Sequence, residues 1–179
     1  DYRHAGLADI GPVFKELGQA TGHVQEAAAR WNQIQQRIDA VRAKVAGRRK
    51  PRTLLVMSRS PRSLRTLDAS GGRGFLHDMV TIAGGQNVFA DVPQQAVRAS
   101  TEMLLAKAPQ VVGDLHYGES ATAMDRDSER KAWNSLSALP AVKQNRIHLL
   151  FGDHLVVPGP RVAQAVEDFA RAIHPEAFK

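Results

Sequence analysis

The spacing of apolar positions changes several times along this chain, and each change predicts an element. Leu7, Ile10, Val13, Phe14 and Leu17 are spaced as one helical face, with Pro12 early enough to be tolerated and Gly18 as a stop. Gly22 then precedes the longest pattern. Val24, Ala27, Trp31, Ile34, Ile38, Val41 and Val45 alternate steps of three and four up to Gly47, which puts all seven on one face. At 1.5 Å per residue this helix is roughly 35 Å long. By itself it reads as a packing helix or half of a coiled coil.

The pattern then turns to strands alternating with helices. Thr53–Met57 is a continuous apolar run, as expected of a parallel strand buried on both faces, and Arg59–Ser70 reads as a polar, arginine-rich loop at its carboxyl end. After Gly71, Gly72 and Gly74, a helical stripe follows at Phe75, Leu76, Met79, Val80 and Ile82, stopped by Gly84-Gly85. Asn87-Val88-Phe89 leads into an expected exposed loop, Ala90–Ala99. Ser100 is a good N-cap, Glu102 sits in the first turn where the helix dipole favours an anion, and Pro109 ends the helix. Its packing face is expected from Met103, Leu104 and Leu105. Val111–Leu115 is a second buried strand, Asp125–Ala138 a helix carrying Trp133 and Leu136, and Arg146–Phe151 a third strand. A last helix opens at Pro160-Arg161, with Val162, Val166, Phe169 and Ile173 on its face. Three strand-then-helix units in succession predict an α/β fold with a doubly wound, mainly parallel sheet, preceded by the long helix.

Composition narrows the classes. The 179 residues suit one ordinary domain, or one domain plus a fragment, with enough apolar content for a packed core. No apolar run approaches the roughly 20 residues that span a bilayer. The opening Asp1-Tyr2-Arg3-His4 is polar and is not expected to be a secretory leader; mature exported proteins have lost theirs, so the compartment stays open. With no cysteine, a disulfide framework, a thiolate metal site and cysteine catalysis are excluded. The net charge of +6 calls for a reading of its arginines. They cluster at Arg48-Arg49-Lys50 and at Arg59, Arg62, Arg65 and Arg73, with no nucleic-acid signature and few aromatics for stacking bases. A basic solvated surface is the plain reading of the 48–50 run.

Candidate chemistry gathers at one edge. The loops Arg59–Ser70, His116–Ser120 and Asp153–Val157 leave the carboxyl ends of three parallel strands, where open α/β sheets bind their ligands. A ligand there would meet Arg59, Arg62, Tyr117, Asp153 and His154. Arginines suit carboxylates and phosphates because the guanidinium donates bidentately. Catalytic signatures are missing: no phosphate-binding G-x-x-x-x-G-K-[ST], no G-x-S-x-G elbow, and no H-x-x-x-H spacing among the seven histidines. Asp153-His154 alone would be half of a metal or acid–base site. No metal site and no resident cofactor is expected.

One ordered set of motifs resembles a known family. Ala83-Gly84-Gly85-x-Asn87-Val88-Phe89 comes first, then Ser100-x-Glu102-x-Leu104-Leu105 running to Pro109-x-Val111-Val112. Trp133-Asn134-Ser135-Leu136, Leu139–Lys143 and Pro158-Gly159-Pro160-Arg161 complete it. Together these are similar to the C-terminal lobe of the solute-binding proteins of ABC importers for iron-siderophores, haem and vitamin B12, the type built on a helical backbone. The resemblance implies residues 1–22 as a remnant or edge of an N-terminal lobe, 23–47 as the inter-lobe helix and 48–179 as the C-terminal α/β lobe. It implies no reaction: the chain would capture an iron chelate, haem or cobalamin and deliver it to a membrane permease. It would do so as a monomer, without nucleic acid, in the periplasm or another exported compartment, free or tethered to the membrane. Glu102 matches the carboxylate that docks on permease arginines, and Asp153 a residue of the ligand cleft. Ala96 stands where the family's vitamin B12 binder has an aromatic, which favours a ligand held more by arginine, such as a ferric siderophore or haem. The N-terminal lobe is not in this sequence, so the cleft would be half present. Two other classes compete: a doubly wound enzyme domain acting on an anionic substrate at the same edge, and a basic interaction module using Arg48–Lys50.

Overall fold

Residues 6–118 and 125–179 are described by the computed structural model. After a 3-10 turn at Leu7–Asp9, α1 (Ile10–Thr21) runs to Gly22, whose left-handed backbone (φ 74°) caps it. Helix α2 (Val24–Val45) folds back against α1. The two approach closely because Gly11 faces the Trp31 indole, where a Cβ would come within 2.8 Å of the ring. The expected apolar face of α2 is buried only from Ile34 onward, through Ile38, Val41 and Val45; Val24 is 51% exposed. The first turns of α2 touch α1 and reach past the sheet.

Strand β1 (Arg52–Arg59) is longer than its apolar run, and β2 (Thr66–Ser70) turns back antiparallel to it where a loop is expected. Helix α3 (Phe75–Ile82) follows the glycines, then the short β3 (Gln86–Asn87), parallel to the start of β1. The expected loop Ala90–Ala99 ends in another strand, β4 (Ala96–Ser100), antiparallel to β2. Both missed strands carry a legible alternation, Leu67 and Ala69 facing the core and Val97 and Ala99 doing the same, hidden by small and polar neighbours. Helix α4 (Thr101–Lys107) starts at Ser100, whose hydroxyl accepts from the Met103 N–H. Of its three apolar residues only Leu104 packs; Met103 and Leu105 are exposed, because a helix this short gives the core one line of contact.

Strand β5 (Val111–His116), α5 (Arg126–Ala132) with a 3-10 extension to Leu136, α6 (Pro140–Lys143), β6 (Ile147–Phe151) and α7 (Val162–Ile173) complete the chain. The sheet order is β4-β2-β1-β5-β6, with β3 beside β1. The order makes a parallel centre with an antiparallel flank, covered by helices on both faces. Successive residues of β1 serve different cores. Leu55 packs with Ile38, Met79, Leu115, Val166 and Phe169 under α2, α3 and α7; Leu54 and Val56 pack with Val112, Trp133 and Leu139 on the other face. Two-sided burial is why these strands read as unbroken apolar runs. Among the described residues no helix is long and apolar enough to cross a membrane.

Candidate ligand-binding site

A register shift in β1 sets up the site. Val56 pairs with Ala69 of β2, but Ser58 and Arg59 pair with Asp68 and Leu67, so one extra residue of β1 is accommodated between them. Such a bulge reverses the alternation beyond it. Arg59, three residues after Val56, therefore shares Val56's face and not the opposite one. There it meets β5 and α5. Its Nη2 donates to Asp114 Oδ2 at 2.7 Å and its Nε to the same oxygen at 3.0 Å, while Nη1 lies 2.7 Å from Glu129 Oε2. The Trp133 indole N–H donates to Asp114 Oδ2 as well, at 3.0 Å.

The three charged side chains are 2%, 1% and 5% exposed. Burial works against the charge on Arg59, but the hydrogen bonds and charge of Asp114, then of Glu129, outweigh it and hold the guanidinium above its ordinary pKa. For Asp114 burial is again the largest influence, pushing the carboxyl up; the neighbouring His116 and the hydrogen bonds and charge of Arg59 override it, and its pKa lies below the usual carboxylate range. Asp114 Oδ1 and His116 Nε2, 3.5 Å apart, are both buried without a hydrogen bond. The His116 ring stacks on Phe151 with centroids 5.2 Å apart, and Arg126 lies 4.0 Å above the Phe151 ring.

This cluster floors a cavity of about 610 Å³ at the carboxyl ends of β1 and β5, walled by Met57, Pro61, Arg62, His116, Tyr117 and Ser128. Its volume suits a small organic ligand or a chelate. Asp125 shapes the wall by capping α5, accepting from the N–H groups of Asp127 and Ser128.

The expected residues take different places. Arg62 is exposed at the mouth, in a left-handed conformation (φ 56°), its N–H donating to the Glu129 carboxylate at 3.2 and 3.1 Å. Tyr117 lines the cavity and is 37% exposed. Arg59 lines it too, but its donors go to Asp114 and Glu129, so it builds the floor. Asp153 is exposed and accepts the Gly118 N–H at 2.8 Å, tying the turns after β5 and β6 together. His154 goes elsewhere. Gly152 (φ 129°) and the 3-10 turn Asp153–Leu155 direct its buried ring to Asp168 Oδ2 of α7 at 2.8 Å, across the sheet from the cavity. Glu102 is exposed on α4; hydrogen bonds from Ser100 and from its own N–H hold its carboxyl below the ordinary range. The end of the expected His116–Ser120 loop lies outside the described residues.

Asp114, His116, Glu129 and Trp133 were not singled out from the sequence as site residues. For Asp114 a signal existed: a lone carboxylate inside the apolar run Val111–Leu115 needs a buried partner. Among the described residues no three metal-ligating side chains come together to hold an ion. The cavity offers an apolar wall, the exposed Arg62 and the Tyr117 phenol, the largely buried His116 imidazole, and an ionic floor.

Comparison with known proteins agrees with the fold. The sequence profile of the periplasmic binding protein family matches residues 10–152. A vitamin B12-binding protein of Vibrio parahaemolyticus is 24% identical over 160 residues, 89% of this chain and 54% of its own length. The chain thus spans about half the length of the curated relatives it matches. Among solved structures, a possible iron-binding, periplasmic solute-binding protein of Staphylococcus epidermidis superposes with a TM-score of 0.80 at 20% identity, over 97% of this chain and 64% of that one. The periplasmic haem-binding protein RhuT of Roseiflexus gives 0.74 at 26% identity, over 96% of this chain and 64% of that one. With a family profile matched along most of its length and the fold shared, this chain belongs to the periplasmic binding protein family.

Proposed function

We propose that this chain is the C-terminal lobe and inter-lobe helix of a substrate-binding component of an ABC importer. It captures an iron chelate, haem or cobalamin and delivers it to a membrane permease, without turnover. The observation that carries the reading is the cavity of about 610 Å³ over the buried Arg59–Asp114–Glu129 floor, at the sheet edge where α/β folds bind ligands. The names of the relatives support the ligand class: one binds vitamin B12 and one structural neighbour binds haem. Arg62, Tyr117 and His116 are the contacts; Arg59 positions the wall, and Asp153 fixes the rim through Gly118. His154, spent on Asp168, supports α7. Glu102 is the docking carboxylate, flanked by the exposed Met103 and Leu105. The protein acts as a monomer in the periplasm or another exported compartment.

The test is a titration with haem, a ferric siderophore panel and cobalamin, followed by absorbance and by tryptophan fluorescence. Trp133, hydrogen-bonded into the floor, serves as the local reporter. Saturable binding of one class is expected, weakened about tenfold by Arg62→Ala, as befits one lost charge-assisted contact. Glu102→Gln should bind the ligand unchanged and lose association with the permease. No saturable binding of any of the three classes up to about 1 mM, only about 4 kcal/mol of affinity, overturns the proposal.

A further inference from the structure

The opposite edge of the sheet carries a second cavity, of about 480 Å³, lined by three arginines, two glutamines, His174 and a single carboxylate, Glu176. The chain brings its parts from four places. Arg48 and Arg49 follow α2, Gln110 precedes β5, Arg146 precedes β6, and Glu176 follows α7. All lie at the amino ends of the parallel strands, away from the cleft described above.

The charges there are not balanced. Arg146 is half-buried, and burial pulls its guanidinium below its ordinary pKa, with the charge of Glu176 a partial offset. Its one hydrogen bond among the described residues runs from Nη2 to the Ile173 carbonyl, at 2.6 Å, and no carboxylate lies within ion-pair distance. Arg48 donates to Lys44 O at 3.0 Å and to Glu176 Oε1 at 3.2 Å. Arg49 makes no hydrogen bond or ion pair among the described residues. Gln110 accepts the Arg52 N–H through Oε1 at 3.0 Å, which leaves its amide NH₂ to donate.

Two helix carboxyl ends point here, α2 and α7, and their negative dipole ends would repel an anion. Each is answered in part by an arginine. Arg48 takes the Lys44 carbonyl and Arg146 takes that of Ile173, the last residue of α7. A guanidinium has five N–H donors, so Arg146 keeps four after that bond. Three arginines against one carboxylate leave an excess of two positive charges, which a dianion would neutralise.

We infer that this cavity is a binding site for a phosphate-class dianion, held bidentately by Arg146 and Arg49 and by the Gln110 amide. Guanidinium groups match tetrahedral oxyanions in geometry as well as charge. The room beyond one oxyanion leaves space for an ester substituent. Neither the cleft nor its ligand enters this inference.

The experiment is a titration of the full chain with inorganic phosphate, followed by calorimetry and by amide and side-chain NMR shifts. Sodium chloride at equal ionic strength is the control. Saturable single-site binding is expected, with shifts at Arg49, Gln110 and Arg146. Arg146→Gln and Arg49→Gln should each weaken it about tenfold, while Arg62→Ala leaves it unchanged. Arg49 is exposed and makes no side-chain contact with a partner among the described residues, so its variant tests the site even where Arg146→Gln disturbs the end of α7. Glycerol phosphate is the second arm. Tighter binding than inorganic phosphate identifies an organic phosphate ester as the natural ligand, weaker binding the free ion. Chloride shifts that match those of phosphate, or phosphate binding unchanged in both arginine variants, overturn the inference. That result leaves the cleft reading intact, since the cleft is tested by haem, siderophore and cobalamin.

Discussion

Arg59 shows how little a residue's type says about its job. Read in sequence, it begins an arginine-rich loop and suits an anionic ligand; in the fold its guanidinium is 2% exposed between two carboxylates. Arg59→Met should therefore cost stability, not only affinity. It strands Asp114 and Glu129 as buried charges, worth about 3–5 kcal/mol when one partner of a buried pair is removed. Urea denaturation measures this, and a loss below about 1 kcal/mol would show that the floor relaxes or admits water. Asp114 adds a pH signature. Its folded pKa is depressed, so its contribution is present above the unfolded value of about 3.9 and is lost as pH falls through the lower folded value. Unfolding free energy should fall steeply below about pH 4, and Asp114→Asn should flatten that slope even though it lowers stability overall. An unchanged slope would assign the acid sensitivity to other carboxylates. His154 is the converse of Arg59: a residue expected at the ligand whose nearest strong partner, Asp168, lies fourteen positions away on α7.

At the scale of elements, long and strongly patterned segments were legible. The strands β1 and β5 stood out because burial on both faces leaves nearly unbroken apolar runs, the edge strand β6 because Ile147, Leu149, Leu150 and Phe151 are apolar, and α7 because its apolar face repeats with the helical period. Ser100 and Asp125 were readable as helix starts, since a side-chain oxygen there answers the otherwise unpaired N–H groups. Strands β2 and β4 were not. Their core residues are Leu67, Ala69, Val97 and Ala99, and their other face is Thr, Asp, Arg and Ser, the composition of a loop. What holds them is the antiparallel ladder of β1, β2 and β4 and an interlock beyond their ends. Gly71 and Gly72 press against the Ala90–Gln95 turn, with the Gly71 N–H donating to Gln95 O at 2.9 Å and that of Gly72 to Val92 O at 2.8 Å. A Cβ at Gly71 would clash with the Gln94 carbonyl, which is backbone and cannot swing aside. Gly71→Ala should destabilise the chain by about 1–3 kcal/mol through overpacking. Hydrogen exchange should localise the added opening to β2 and β4; uniform exchange across the sheet would contradict this.

For the whole molecule, the question is what joins α2 to the lobe. An ion pair and a core contact both make the link: Arg37 grips Glu167 of α7 through two bonds of 2.9 and 3.0 Å, and Ile38 is fully buried between them. Exposure decides between the two. Arg37 is 49% exposed, so Arg37→Ala should cost less than about 1 kcal/mol. Ile38→Ala leaves a cavity in the main core and should cost about 2–5 kcal/mol. Thermal or urea unfolding of both variants checks the ranking, and a reversed order would mean that charge, not packing, fixes the helix.

Local periodicity and composition determined the helices, the buried strands, the caps and the family resemblance, because each of these is written in residues close together along the chain. The site was decided by tertiary structure. Whether Arg59 faces a ligand or a carboxylate depends on one extra residue in β1, and that residue is defined only once β1 is paired with β2. The partners that then hold it come from β5 and α5, distant in sequence and brought to one face by sheet order. Charge pairing needs distances of a few ångströms, and only the folded chain sets them.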